Sequence, residues 1–506
     1  MNDLNTKAPN KDADSSIKSI LEWLALAHGR TGSDDAEPLL RQILALRAAA
    51  VPNAQRTKLL DLLYAQSQRV VEAELAQLRE ISLPVSRKIR QRIRILLELL
   101  ETLTQDYFNT LAELFDPEEK TGLRAPEISL RRAMHAISWQ IRIYHSIASP
   151  TRVGLWQQLH AAFSSARRLG IATSQGQHSG QSIQRIYTDI LLAAIAQPAS
   201  FSSAELDFIS TYVGHSTPTL ELLDSPPLTS GSIFWIDPDK DFPAHALIRR
   251  SPSADTPVLY FSCDEIAQIC EDHRAELSKG NTTSALRLPK FAASHAGISV
   301  LRRLSRLWGH PSKRKFPRRR QSYRAHLCAG LDGLWNLLRF PEGNAILSEW
   351  MITNESPDGY SLMHMSGETE SLRVGDIVAL KAIGEHAEAV PAWHVCIIRW
   401  AISENPEHVE LGLELLAATA TAAEIAQPFD LGNKNGKIAV LILPEKPPLR
   451  PNQSLVLPPG ILNDDMRRII ALIETENLEI RELRTTKLDE QTSAIEVFSV
   501  LPDPIP

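Results

Sequence analysis

The residues best equipped for chemistry in this chain gather in and just after its most basic stretch. From Leu301 to Arg324 the sequence LRRLSRLWGHPSKRKFPRRRQSYR holds ten Lys and Arg and not one Asp or Glu. Inside it lies Arg320-Gln-Ser-Tyr-Arg324, and thirty residues beyond Arg324 comes Asn354-Glu-Ser356-Pro-Asp-Gly359, between two strand-like runs. An R-x-x-x-R pair can set two guanidinium forks around one ligand, each able to bond bidentately to phosphate or to the O6 and N7 acceptors of guanine. Asn354 and Ser356 alternate along an extended backbone, so both side chains can face one side and offer neutral donors and acceptors. Gly359 permits a sharp turn and a close backbone approach. Together these residues describe a site for a small guanine-containing anion.

Other motifs give way to plainer readings. The chain has no G-x-S-x-G elbow, no H-E-x-x-H, no G-x-G-x-x-G after a strand and no kinase signature set, so no catalytic residue is assigned and an enzyme is not expected. Gly432 to Lys437 (GNKNGK) is one residue short of a phosphate loop and lacks its Ser/Thr, and Asn435-Gly436 reads better as a hairpin turn. Cys263, Cys270 and His273 share an expected helix without zinc spacing or a fourth ligand, so no metal site and no cofactor are assigned.

The two-part constellation resembles the signature of the PilZ domain: R-x-x-x-R, then [D/N]-x-S-x-x-G at the start of a β-barrel. The strands that follow, with Gly375-Asp376 before DIVAL, IIRW at 397–400 and LGLELL at 411–416, are similar to the family's barrel pattern. The resemblance covers about residues 318–418, near one fifth of the chain, and the whole is similar to long proteobacterial PilZ proteins with a helical N-terminal half. It implies a receptor for cyclic di-GMP, with Arg320 and Arg324 clamping guanine and phosphate, Arg319 as an auxiliary contact, and Asn354, Ser356 and Gly359 closing the site from the barrel face. A second R-x-x-x-R occurs at Arg314 and Arg318; Arg320 and Arg324 are preferred because Arg324 leads directly into AHLC, where the family's first barrel strand begins. Between the motifs lies AGLDGLWNLLRFPEGNAILSEW, whose helix-like apolar piece embellishes the barrel.

The elements that must carry this site follow from pattern. Ile89, Ile93, Leu96, Leu100, Leu103, Tyr107, Leu111 and Leu114 recur at steps of three and four, one stripe of a long helix. Leu60, Leu63, Val71, Leu75 and Leu78 mark a similar stripe, Pro84 separates the two, and an antiparallel helical hairpin is the natural inference. The stripe serves a monomer core or a homodimer equally well. The expected architecture is α+β and multidomain: a polar tail over 1–16, a helical domain over 17–216, a mixed connector over 217–300, a basic linker plus antiparallel barrel over 301–426, and a β-rich extension over 427–506 that either prolongs the barrel or stands alone.

Composition sets the outer bounds. The 506 residues carry 54 basic and 60 acidic side chains, a formal charge of −6, and 43% apolar residues, enough for about three folded domains. Without the basic stretch, 44 cations face 60 anions, so the positive charge is a local device. Four scattered cysteines argue against a secreted disulfide framework, the polar start lacks a signal peptide, and no run is long enough to span a membrane, so a cytoplasmic protein is expected. Three functions compete. A non-enzymatic cyclic di-GMP receptor would use the basic linker to change interdomain geometry. An interaction scaffold with a degenerate barrel would bind protein partners through its helical half. A nucleic-acid binder using KRKFPRRR ranks below both, because the acidic remainder repels a polyanion.

Overall fold

Apolar periodicity of 3.6 over the first two hundred residues and of two over the last two hundred settles into helices and closed barrels. The computed structural model describes residues 11–27, 32, 35–49, 51–113, 126–175, 181–228, 231–253, 256–313, 316–367, 369, 372–384, 390–405, 408–426, 437–445, 447, 451–462, 468–474 and 478–502. Most of the expected tail (1–10), Leu114, Arg314 and the Asn435-Gly436 turn lie outside the described residues. The chain forms two units, one of residues 1–81, 86–196 and 217–263, the other of 82–85, 197–216 and 264–506.

The first unit holds α1 (Lys11–Ala27), α2 (Ala36–Ala48), α3 (Asn53–Leu78), α4 (Arg87–Glu113), α5 (Pro126–Ser146), α6 (Leu155–Arg168) and α7 (Ile183–Ile195). The stripe on α4 is core: Ile93, Leu96, Leu100, Leu103 and Tyr107 are buried, as are Leu60, Leu63, Val71, Leu75 and Leu78 of α3. Two polar contacts fix α3 and α4 antiparallel, Arg92 on the buried Glu74 at 2.8 Å and the Tyr107 hydroxyl donating to Asp61 at 3.0 Å. Helices α2 and α5 also pack on α4, so the stripe is covered within this bundle. At the start of α6, the Asp241 carboxylate accepts from the backbone N–H groups of Gly154, Trp156 and Gln157 at 2.5, 3.0 and 3.2 Å, satisfying donors that a helix N-terminus leaves open. A small antiparallel sheet, order β2-β1-β3, completes the unit with β1 (Ile233–Ile236), β2 (His245–Ala246) and β3 (Leu259–Ser262).

The second unit opens with α8 (Ser203–Ser216), α9 (Asp264–Ser278) and α10 (His295–Gly309). Cys270 is buried on α9, and His273 Nδ1 meets the Tyr212 hydroxyl at 2.8 Å. Then come β4 (Arg319–Ala329), α11 (Leu331–Arg339), β5 (Ser348–Ser356), β6 (Gly359–Ser366), β7 (Ile377–Ala382), β8 (His394–Asn405) and β9 (His408–Ala417). These six strands close a barrel in the order β4-β5-β6-β9-β8-β7. The remainder is a barrel of its own, made of β10 (Thr421–Ala426), β11 (Ile438–Leu443), β12 (Gln453–Leu457), β13 (Arg468–Glu474), β14 (Leu478–Gln491) and β15 (Glu496–Pro502) in the order β10-β11-β12-β15-β14-β13. Both barrels therefore share one path: first, second, third, sixth, fifth, fourth.

The barrels are joined by apolar packing. Ile377, Ala379, Val395 and Ile397 of the first barrel share one buried cluster with Leu441, Leu443, Val456 and Val497 of the second and with Leu334 and Leu337 of α11. Val440, Ile442, Leu455 and Ile469 fill the second barrel's own interior. Strand β11 is thus covered on both faces, which is why IAVLIL reads as an unbroken apolar run instead of alternating. Helix α11 packs on β10 and β11, and Trp335 Nε1 donates to the Ala423 carbonyl at 2.8 Å. The insertion between the two motifs is therefore a brace between barrels. Among the described residues, no helix is long and apolar enough to cross a membrane, and the four cysteines are buried thiols outside any disulfide.

Candidate functional site

The site grows from the β5–β6 hairpin. Ser356 and Gly359 pair across a two-residue turn of Pro357 and Asp358, and Ser356 Oγ donates to the Gly359 carbonyl at 3.3 Å. Leu415 N–H donates to the Asp358 carbonyl at 2.7 Å, so β9 grips the turn. Gly359 has φ of 152°, and a Cβ there would stand 1.9 Å from the Leu413 carbonyl oxygen. Only glycine lets β6 lie this close to β9. Asn354 sits two residues before Ser356 on β5, in register with Ser361 of β6.

Beside this hairpin opens a cavity of about 830 Å³, within the usual range for a small-molecule site. One wall is the hairpin itself, with Asn354, Glu355, Ser356 and Gly359. Arg399 and Trp400 of β8 and Gly412 of β9 line the cavity too, together with Asn452, Thr486, Lys487 and Ser499 of the second barrel. The Trp400 indole lies so close over Gly412 that a Cβ there would be 1.8 Å from Nε1, which accounts for a glycine in mid-strand. Arg318 also lines the cavity and donates to Ser361 Oγ at 3.2 Å.

Charges in the cavity are mixed. Arg306, Arg318, Arg399 and Lys487 face Glu355, Asp358, Glu414, Asp489 and Glu490. Arg399 takes two of those carboxylates, Glu414 through Nε at 2.7 Å and Glu490 through Nη2 at 2.6 Å. Burial alone would push the Glu490 carboxyl up, yet the guanidinium beside it prevails and holds it below the usual range. Glu355 accepts from the Tyr323 hydroxyl at 3.4 Å, and burial together with that carboxylate pushes the phenol up.

The six residues expected to bind ligand divide into two groups. Asn354, Ser356 and Gly359 come together in the cavity wall. Arg319 and Arg320 stand exposed at the start of β4, opposite Glu355 and Asn354 respectively, beside the cavity but not among its lining residues. Arg324 lies further along β4, opposite Met351, where its side chain, 62% exposed, pairs with Glu349 at 3.1 Å. Arg318, of the R-x-x-x-R pair set aside on sequence grounds, is the basic-stretch arginine beside the motif that does line the cavity, with Arg306 of α10 nearby. Arg399 and Trp400 were visible only as part of a barrel strand, since nothing in IIRW marks them as facing a cavity.

Comparison with known proteins decides the family. Residues 18–227 match the N-terminal domain of the cyclic-di-GMP receptor FimW, and residues 342–422 match its middle PilZ domain, together more than half of the chain. The chain belongs to the PilZ-domain cyclic-di-GMP receptor family. Cyclic di-GMP is the ligand of the FimW family. The PilZ match takes in Asn354, Ser356 and Gly359, whereas Arg319, Arg320 and Arg324 precede it. No curated protein matches the chain.

Proposed function

We infer that this chain is a receptor that binds cyclic di-GMP in the cavity at the β5–β6 hairpin and acts through binding, without turnover. The observation that carries this reading is the convergence of Asn354, Ser356 and Gly359 in one cavity wall, with Arg320 in register beside Asn354 on the adjoining strand. Those are groups for holding a guanine edge and a phosphate, the neutral amide and hydroxyl from one strand and the charged forks from the next. Arg319 and Arg320 are free to swing over the opening because both are solvent-exposed. Arg324 would join them by exchanging Glu349 for the ligand. Ordering the basic stretch around a dianion couples occupancy to interdomain geometry, since a ligand shifts an equilibrium by its differential affinity for the two states. A cytoplasmic location and a protein partner for the helical half belong to the same proposal.

Calorimetric titration of the full chain tests it, with GTP and cyclic AMP as controls. Saturable binding of cyclic di-GMP alone, with the nucleotide recovered intact, is the expected result. A second reading, an interaction scaffold with a degenerate barrel, is favoured by the five carboxylates around the cavity, which oppose an anionic ligand. Absence of binding at tens of micromolar would select it.

A further inference from the structure

The cavity at the β5–β6 hairpin is lined by the second barrel as well as the first. The second barrel's strands repeat the order of the first, yet residues 421–502 contain no R-x-x-x-R and no complete [D/N]-x-S-x-x-G. A fragment survives as Asn452-Gln-Ser454, with Leu457 where the glycine would stand. Asn452, Thr486, Lys487 and Ser499 of this barrel line the same cavity as Asn354 and Ser356.

Two further observations set this lining apart from chance proximity. Strand β14 departs from regular pairing with β15 twice, between Thr485 and Lys487 and between Leu488 and Glu490. Each shift redirects side chains along the part of β14 that faces the cavity, as bulges beside binding sites do. In addition, Arg399 of β8 and Glu490 of β14 pair at 2.6 Å, tying the two barrels together at the cavity. Lys487 has its side chain 76% exposed and only a 3.4 Å contact with Asp489, so its ammonium is available to an anion.

We propose that the second barrel is half of the ligand site: Lys487 receives a phosphate of the cyclic dinucleotide, and Asn452 hydrogen-bonds the ligand in the cavity it shares with Asn354. This rests on the receptor reading above. The cyclic dinucleotide is bracketed between two barrels of common topology, one keeping the arginine and Asn-x-Ser motifs and the other supplying a cation and an amide. The second barrel then acts as a partner that completes the site.

The test titrates cyclic di-GMP into the full chain and into Asn452→Ala/Lys487→Ala and Lys487→Glu variants, with Arg320→Ala/Arg324→Ala as reference. Lys487 is exposed and Asn452 half-buried, so the unfolding midpoint of each variant checks that it folds; amide hydrogen exchange of residues 478–491 with and without nucleotide gives an independent readout. The expected result is affinity about tenfold weaker in the Asn452→Ala/Lys487→Ala variant, at least as weak in Lys487→Glu, and nucleotide-dependent protection of 478–491. Affinity within twofold of wild type and unprotected 478–491, while the arginine variant is weakened, overturns the second-barrel role and leaves the receptor reading intact. No binding by the wild type overturns both.

Discussion

Replacing Gly359 by alanine tests the geometry of the hairpin with one methyl group. The added Cβ would lie 1.9 Å from the Leu413 carbonyl oxygen, 2.9 Å from its carbon and 3.1 Å from Glu414 Cα. All three atoms are backbone, so no side chain can swing aside. Relief requires β6 and β9 to part by roughly 1 Å, which sacrifices about two ladder hydrogen bonds at ~1 kcal/mol each. An unfavourable φ for alanine adds ~1–2 kcal/mol, for a destabilisation of about 3 kcal/mol. The same shift carries Ser356 and Asn354 out of line, so cyclic di-GMP affinity should fall at least tenfold. The assay is urea unfolding followed by tryptophan fluorescence, Trp350 and Trp400 lying in this barrel, paired with calorimetric titration. Gly214 on α8 is the control: nothing lies within 4 Å of a Cβ there, so Gly214→Ala should be neutral or stabilising by up to ~1 kcal/mol. Gly359→Ala unfolding within 0.5 kcal/mol of wild type, a threshold set by the usual ~0.5 kcal/mol scatter of neutral substitutions, with unchanged affinity would refute the reasoning.

Further outcomes follow from the charges around the site. Arg399→Met leaves Glu414 and Glu490 without their guanidinium and should destabilise by about 2 kcal/mol, less than a fully buried pair because all three groups are part-exposed; denaturant titrations indistinguishable from wild type would contradict it. Burial pushes the Asp376 carboxyl up to about 6, although it accepts from Arg373 N–H at 2.8 Å. The folded state therefore holds that proton more tightly than the unfolded chain, and the group's contribution falls as pH rises from about 4 to 6. Asp376→Asn should accordingly gain about 1–2 kcal/mol over wild type at pH 7.5, with the gain shrinking by pH 5; an equal difference at both values would show that ionisation is not the cause. Burial, reinforced by Arg132 and Arg131, pushes His135 down to about 4. That group's stabilising share, about 1–2 kcal/mol, is present above pH 6.5 and lost toward pH 4, and His135→Gln should flatten this part of the stability profile.

Much of this was legible in the amino acids because periodicity and turn chemistry are local. The α4 stripe from Ile93 to Tyr107 and the turn at Ser356–Gly359 are written in spacing alone. What closes the cavity was not legible. Asn452 and Lys487 lie 93 and 128 residues beyond Gly359 in a stretch without either complete motif, and only the fold brings them to the same cavity. The two-sided burial of β11 left open whether the C-terminal strands prolong the first barrel or close one of their own, since a strand covered on both faces loses the alternation that reveals a barrel's inside. The arginines show a third limit. R-x-x-x-R recurs within one basic stretch, and while spacing and the start of AHLC selected Arg320 and Arg324 over Arg314 and Arg318, the cavity lining includes Arg318.

The receptor account stands most directly on calorimetric titration of cyclic di-GMP into the full chain beside its Arg320→Ala/Arg324→Ala variant. Each bidentate arginine is worth about 1–3 kcal/mol, so the account predicts saturable binding to the wild type and at least ~30-fold weaker binding to the variant. Equal affinities in the two proteins, or no binding to either, would contradict it.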